Sequence, residues 1–206
     1  MGKILLFPQK QPSRFDFERV KKRREENLDK SNLFSSGLGR VPRPPASLTP
    51  FEEALLLDEC GDSRAAEAYS RAISEGNLTA DAYCNLGIIE SRAGRTTKAF
   101  DCFTKSLEHD PRHFESHYNL GNLYFEGDNL RLSRMHYEFA AEINPTFPNL
   151  YFNLGLVLAL MEETKAAIDV LVKYQLLTPP KERRNVEDLI SELRRSLSKT
   201  SRNPVS

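Results

Sequence analysis

The chain has 206 residues, 39% of them hydrophobic, and its 29 Lys/Arg balance 29 Asp/Glu. That is enough apolar content for a substantial core, and no stretch approaches the roughly 20 apolar residues needed to cross a membrane. The Ile4–Phe7 run stops at Pro8, too short for a signal-peptide core, so a soluble, cytoplasmic protein is expected. Cys60, Cys84 and Cys102 are odd in number and fit neither a zinc nor a redox spacing, so no metal, disulfide or cofactor is expected.

Residues 1–45 read as a basic arm and linker, with 11 Lys/Arg against 5 Asp/Glu. Phe15, Phe17 and Val20 precede Lys21, Lys22, Arg23 and Arg24, a pattern compatible with a short basic helix, and the Ser- and Pro-rich stretch from Ser35 to Pro45 reads as linker. Disorder is the expectation for the arm as a whole. Residues 46–179 are acidic, with 11 Lys/Arg against 20 Asp/Glu, and residues 180–206 are basic again, with 7 against 4. An acidic body between basic ends repels nucleic acid along its length and favours basic or neutral partners. The basic tails can also fold back onto it.

From residue 46 onward the chain repeats. Gly87, Gly121 and Gly155 stand 34 residues apart, each preceded by Asn-Leu. Windows 80–113, 114–147 and 148–180 each predict two helices. In the second helix Ala99, Phe103 and Ser106 align with Ser133, Tyr137 and Ala140, and then with Ala167, Leu171 and Tyr174. Pro111, Pro145 and Pro179 close the windows, because proline lacks an N–H and clashes with the preceding turn. Glycine or alanine at a crossing lets two helices approach closely. A degenerate unit, 46–79, precedes these. Ala65, Tyr69 and Ala72 keep the second-helix pattern, but Glu52 and Glu53 occupy the Leu-Gly places and Asn77 replaces the proline, so a shifted first helix is expected. Val186, Leu189, Ile190, Leu193 and Leu197 form a narrow apolar stripe in residues 181–198, as a capping helix requires, with Arg183, Arg184, Arg194 and Arg195 outward. Residues 199–206 are expected to be a disordered tail.

The recurring large residue, Leu-Gly, alanine, aromatic, small residue and proline within 34 positions resemble the tetratricopeptide repeat family over about three-quarters of the chain. The resemblance implies an all-α, right-handed superhelical solenoid of about four helix-turn-helix repeats with a concave groove.

In that family, positions two, five, six, nine, twelve and thirteen of each unit face the groove. Position six is asparagine three times: Asn85, Asn119 and Asn153. A carboxamide both donates and accepts, so a row of them can hold the backbone of an extended peptide without reading its sequence. The row resembles that in the repeats of O-linked N-acetylglucosamine transferase. Asn122 extends it; Tyr118, Phe125 and Phe152 are candidate apolar floor, and Arg92, Glu115 and Glu126 make the rest mixed in charge. The alternative for the aromatics is packing within the array. The carboxylate clamp with which related co-chaperones grip acidic chaperone tails needs basic residues at positions two, five and six. Pro50, Cys84, Glu115 and Asn149 stand there instead.

His109, His113 and His117 are four apart, but Pro111 interrupts the helix between the first two, which argues against a metal site. The sequence carries no phosphate loop, nucleophile elbow or convergent titratable set. The expected function is a non-enzymatic scaffold or adaptor that binds an extended segment of a partner protein. The alternatives are a self-associating structural protein, hence a homo-oligomer, or a nucleic-acid adaptor acting through the basic arm.

Overall fold

The computed structural model describes residues 16–21 and 48–200. Among them the regular structure is helical: α1 (Pro50–Glu59), α2 (Ala65–Ser74), α3 (Thr79–Arg92), α4 (Thr96–His109), α5 (Phe114–Glu126), α6 (Leu130–Ile143), α7 (Pro148–Leu160), α8 (Thr164–Leu177) and α9 (Arg184–Thr200), with one short 3₁₀ turn at Pro180–Glu182. Consecutive helices pair as antiparallel hairpins and each hairpin stacks on the next, giving a right-handed superhelical solenoid of four units. Among the described residues no helix is long and apolar enough to cross a membrane.

The three glycines of the repeat lie where each pair of helices crosses. A Cβ on Gly87 would come within 2.8 Å of the Phe103 ring, one on Gly121 within 2.5 Å of Tyr137, and one on Gly155 within 2.5 Å of Leu171. Each large side chain is fully buried in the space the glycine leaves. Ala99, Ala140 and Ala167 are likewise fully buried. Pro111 and Pro145 follow the C-caps of α4 and α6, and Pro179 follows the C-cap of α8.

A second 34-residue period lies in the turns inside each hairpin. Gly94, Asp128 and Glu162 all adopt left-handed backbone, with φ of 75°, 58° and 62°. Only the first is glycine, so the period is invisible to residue type. The degenerate first unit starts at Pro50. Thr49 and Glu52 form a reciprocal capping box there, and Asn77 Oδ1 accepts from the Phe51 N–H at 3.0 Å. Glu52, out of place in the repeat pattern, therefore serves as a cap.

At the other end α9 packs on α8 and buries Val186, Ile190 and Leu193. Arg184, Arg194 and Arg195 point to solvent, but Arg183 does not follow them. Its Nε donates to the Thr178 carbonyl at 2.7 Å and pins the turn between α8 and α9.

Residues 16–21 depart from both expectations for the arm. They form neither a helix nor an unstructured segment: they run extended across the solenoid, and Val20 and Phe17 join the same apolar cluster as Tyr69, Ile88 and Phe103. The rest of the arm, residues 1–15 and 22–45, and the tail from 201 lie outside the described residues.

Candidate functional site

The asparagines at position six project from the first helices of successive hairpins, and two of them grip the segment 16–21 by its main chain. Asn85 on α3 accepts from the Val20 N–H at 2.9 Å and donates to the Val20 carbonyl at 3.0 Å. Asn119 on α5 does the same to Glu18, at 2.8 and 2.9 Å. Each carboxamide thus satisfies both polar groups of one residue, as a neighbouring β-strand would. Glu18 and Val20 are two apart, so one repeat of the array matches one pleat of an extended chain. The strap runs opposite to the order of the repeats.

The tyrosines of the second helices hold the carboxamides in turn. Asn85 Nδ2 also donates to Tyr69 Oη at 3.1 Å, and Tyr137 Oη donates to Asn122 Oδ1 at 2.6 Å. Burial pushes both phenols well above their ordinary range, so they stay neutral donors. Their rings fill the core, as expected from sequence; their hydroxyls carry a second role that the apolar pattern did not disclose. At the equivalent place between them stands Phe103, which has no hydroxyl. There Asn119 Nδ2 lies 3.5 Å from the buried Cys84 Sγ, and Phe17 of the strap stacks on the Phe103 ring at 6.1 Å between centroids.

The remaining sequence candidates divide. Asn122 Nδ2 reaches the Asp16 carbonyl at 3.5 Å, a long contact at the end of the strap. Asn153 makes its described bonds inside the array, donating to Tyr118 Oη at 3.0 Å and Asn122 Oδ1 at 3.2 Å. Tyr118, expected to offer groove surface, is only 2% exposed and packs among Phe114, Tyr137 and Phe147. The reason is its ring: an aromatic at position five is drawn into the gap between adjacent hairpins, and its hydroxyl finds Asn153 there. Phe152 is half-buried against Tyr174 at 5.4 Å, and Phe125 is partly buried against the C-terminal core. Arg92 and Glu126 are exposed at the C-terminal ends of α3 and α5, and Glu115 is half-buried near the strap.

A charged wall lines the strap on the α1 side. Arg19 Nη2 meets Asp58 Oδ1 at 2.9 Å, and Tyr69 Oη donates to Asp58 Oδ2 at 3.4 Å. Burial raises the Asp58 carboxyl above its usual value, against the opposing charges of Arg19 and Arg92. Burial also raises Glu18, opposed by Lys21 and reinforced by the like charge of Glu115. The ion pair between Arg19 and Asp58 shows that this side of the groove suits a cation and disfavours an anion.

Sequence reading found no convergent titratable set, and the structure corrects this: Asp81, His113, Ser116 and Ser106 meet at the junction of α3, α4 and α5. His113 Nε2 lies 2.8 Å from Asp81 Oδ1, so it carries the proton and leaves Nδ1 to accept from the Ser116 N–H at 3.2 Å. Ser116 Oγ lies 3.0 Å from the same Nδ1, donates to Ser106 Oγ at 2.7 Å, and Ser106 Oγ donates on to the Ala80 carbonyl at 2.8 Å. The order of groups is that of a nucleophile and its base, but Ser116 is 0% exposed and its proton is directed into the chain of bonds. The network caps α5 and ties three helices together. His117 lies 3.1 Å from His136 through their Nδ1 atoms and makes no group of three metal-ligating side chains among the described residues.

Residues 80–113 match a family model described as tetratricopeptide repeat, and residues 102–134 match a second model of the same description. No curated protein sequence matches the chain. Among solved structures, MamA AMB-1 superposes with a TM-score of 0.62 at 21% identity, covering 74% of this chain and 83% of MamA. The first tetratricopeptide domain of Spaghetti (RPAP3), bound to the HSP90 peptide SRMEEVD, superposes with a TM-score of 0.53 at 17% identity, covering 58% of this chain and 93% of that one. The first such domain of human RPAP3 gives 0.52 at 16%, covering 61% and 97%.

Proposed function

We propose, for a chain that carries tetratricopeptide repeats, that it is a non-enzymatic interaction scaffold whose concave groove captures an extended segment of a partner protein by its main chain. The observation that carries this reading is the pair of two-point bonds from Asn85 and Asn119 to Val20 and Glu18. These bonds use no side-chain atom of the bound segment, so any extended chain presenting alternate residues can make them. The strap is the chain's own example of such a ligand.

The Spaghetti domain holds a peptide whose C-terminal residues are acidic. In this chain Asp58 takes an arginine and Glu115 faces the bound segment, so an acidic tail would meet like charge in place of a clamp. A basic or neutral segment fits the groove.

The test uses the full chain with Asn85→Ala and Asn119→Ala together, compared with the parent in cross-linked partner capture, with circular dichroism as the control for fold. Capture should be lost while helical content stays. Unchanged capture by the double variant would refute main-chain recognition in the groove. Asn153 is left out of the variant because its amide holds Tyr118 and Asn122.

A further inference from the structure

The strap is more than a main-chain ligand, because its side chains meet three different surfaces. Val20 is 1% exposed, sunk among the apolar residues of the first two units. Arg19, one residue earlier and on the opposite side of the extended chain, reaches Asp58. Phe17 stacks on Phe103 with an interplanar angle of 16°. Lys21, at the end of the strap, and Leu48, just before α1, line one cavity together with Glu52, Leu55, Leu56 and Glu59. The strap therefore ends beside the start of the array, and it occupies the groove as part of its own chain. A segment of the same chain competes at an effective concentration of about the millimolar range.

We propose that residues 16–21 close the groove in the resting chain as a stand-in for its partner, and that the partner displacing them is an extended segment with the same chemistry: an aromatic residue, one spacer, an arginine, then a small aliphatic residue. This rests on the groove reading above and adds to it the identity of the occupant. The arginine is selected by the half-buried Asp58, the aliphatic residue by a pocket with no polar partner for its side chain, and the aromatic by the Phe103 ring, on which Phe17 stacks. An acidic residue in place of the arginine is rejected by Asp58. The strap is held at only two full rungs, so a longer segment with the same pattern, reaching further along the array, outcompetes it.

The experiment uses the full chain and a fluorescein-labelled peptide of residues 14–22, read by anisotropy. Val20→Asp in the protein places a charge in the apolar pocket and loosens the strap without touching the array; an unchanged helical melt is the control. The Val20→Asp protein should bind the peptide at least tenfold more tightly than the parent protein does. On that loosened protein, peptides carrying Arg19→Glu or Val20→Asp should bind at least tenfold more weakly than the parent peptide. Asp58→Asn in the loosened protein should abolish its preference for the parent peptide over Arg19→Gln. Equal binding by parent and loosened proteins would overturn the closed groove. Equal binding of all peptides to the loosened protein would overturn the partner chemistry while leaving main-chain capture intact. Binding of none of them, with the melt unchanged, would bring down the groove reading itself.

Discussion

Asn85→Ala isolates one rung of the strap. The substitution removes two hydrogen bonds to Val20, at 2.9 and 3.0 Å, and leaves that residue's N–H and carbonyl buried without partners. If the strap stayed in place, each orphaned group would cost about 1 to 3 kcal/mol. Undocking lets water satisfy both groups, so the loss is limited to what the rung contributed, about 1 kcal/mol net per bond. The docking constant should fall by about 2 kcal/mol, roughly 30-fold. Amide hydrogen exchange followed by mass spectrometry or NMR reads this directly. The Val20 and Glu18 amides should lose protection together, since they share one short segment, although Asn119 is untouched. Amides in α7 should keep theirs. Full retention of Val20 protection in the variant would mean that the carboxamide does not hold the strap, and the reasoning would fail.

Three further outcomes test the scaffold. Gly121→Ala should destabilise the chain by about 1 to 3 kcal/mol in urea unfolding, because the new methyl would sit 2.5 Å from the Tyr137 ring, itself fixed by a 2.6 Å bond to Asn122. Glu162→Gly should do the opposite and raise the melting midpoint by the equivalent of about 0.5 to 1 kcal/mol, by relieving left-handed backbone at φ 62°. Acid should weaken the fold through the histidine pair. Burial holds His136 down to about 4, helped by the charge of His117, and burial lowers His117, helped by the charge of His113, while Tyr124 and Phe139 pack around the pair and the Pro111 carbonyl and Asp110 oppose the shift in His117. A depressed folded-state value means that the stabilisation is complete above the unfolded value of about 6.5 and is lost as the pH falls toward 4. His136→Phe should flatten the stability profile in that window by about 1 to 2 kcal/mol after allowance for partial exposure, measured as the difference from the parent in thermal melts between pH 7 and pH 4.5.

The repeat was legible because its signals are local and steric. A glycine at a helix crossing, a large residue opposite it and a proline after the hairpin each follow from a contact one turn or one helix away, so the 34-residue period survives in residue types. The turn period through Gly94, Asp128 and Glu162 was not legible, because backbone conformation can repeat while side chains change. The asparagine row was visible as a row of amides, but the role of each was not. Asn85 and Asn119 meet the strap, whereas Asn153 bonds Tyr118 and Asn122, and nothing in the Asn-Leu-Gly triplets distinguishes them. Tyr118 lies with the alternative of packing within the array: the family resemblance assigns position five to the groove, but the ring volume draws this residue between hairpins. The strap itself was the largest gap. Residues 16–21 sit among basic residues in a pattern compatible with a short basic helix, yet they lie extended, so their structure comes from the surface that receives them. Phe17, Arg19 and Val20 were in view as residues, and the charge difference between arm and array pointed toward folding back, but pairing them with Phe103, Asp58 and the Asn85 pocket needed the fold.

The central claim is that side-chain amides on the concave face hold an extended main chain. Nuclear Overhauser contacts from the carboxamide protons of Asn85 and Asn119, in the uniformly labelled full chain, test it most directly. The account predicts cross-peaks from Asn85 to Val20 and from Asn119 to Glu18, with both carboxamides shifted away from their solvent-exposed positions. Carboxamides at ordinary solvent shifts, with no cross-peak to any residue between 16 and 21, would contradict it.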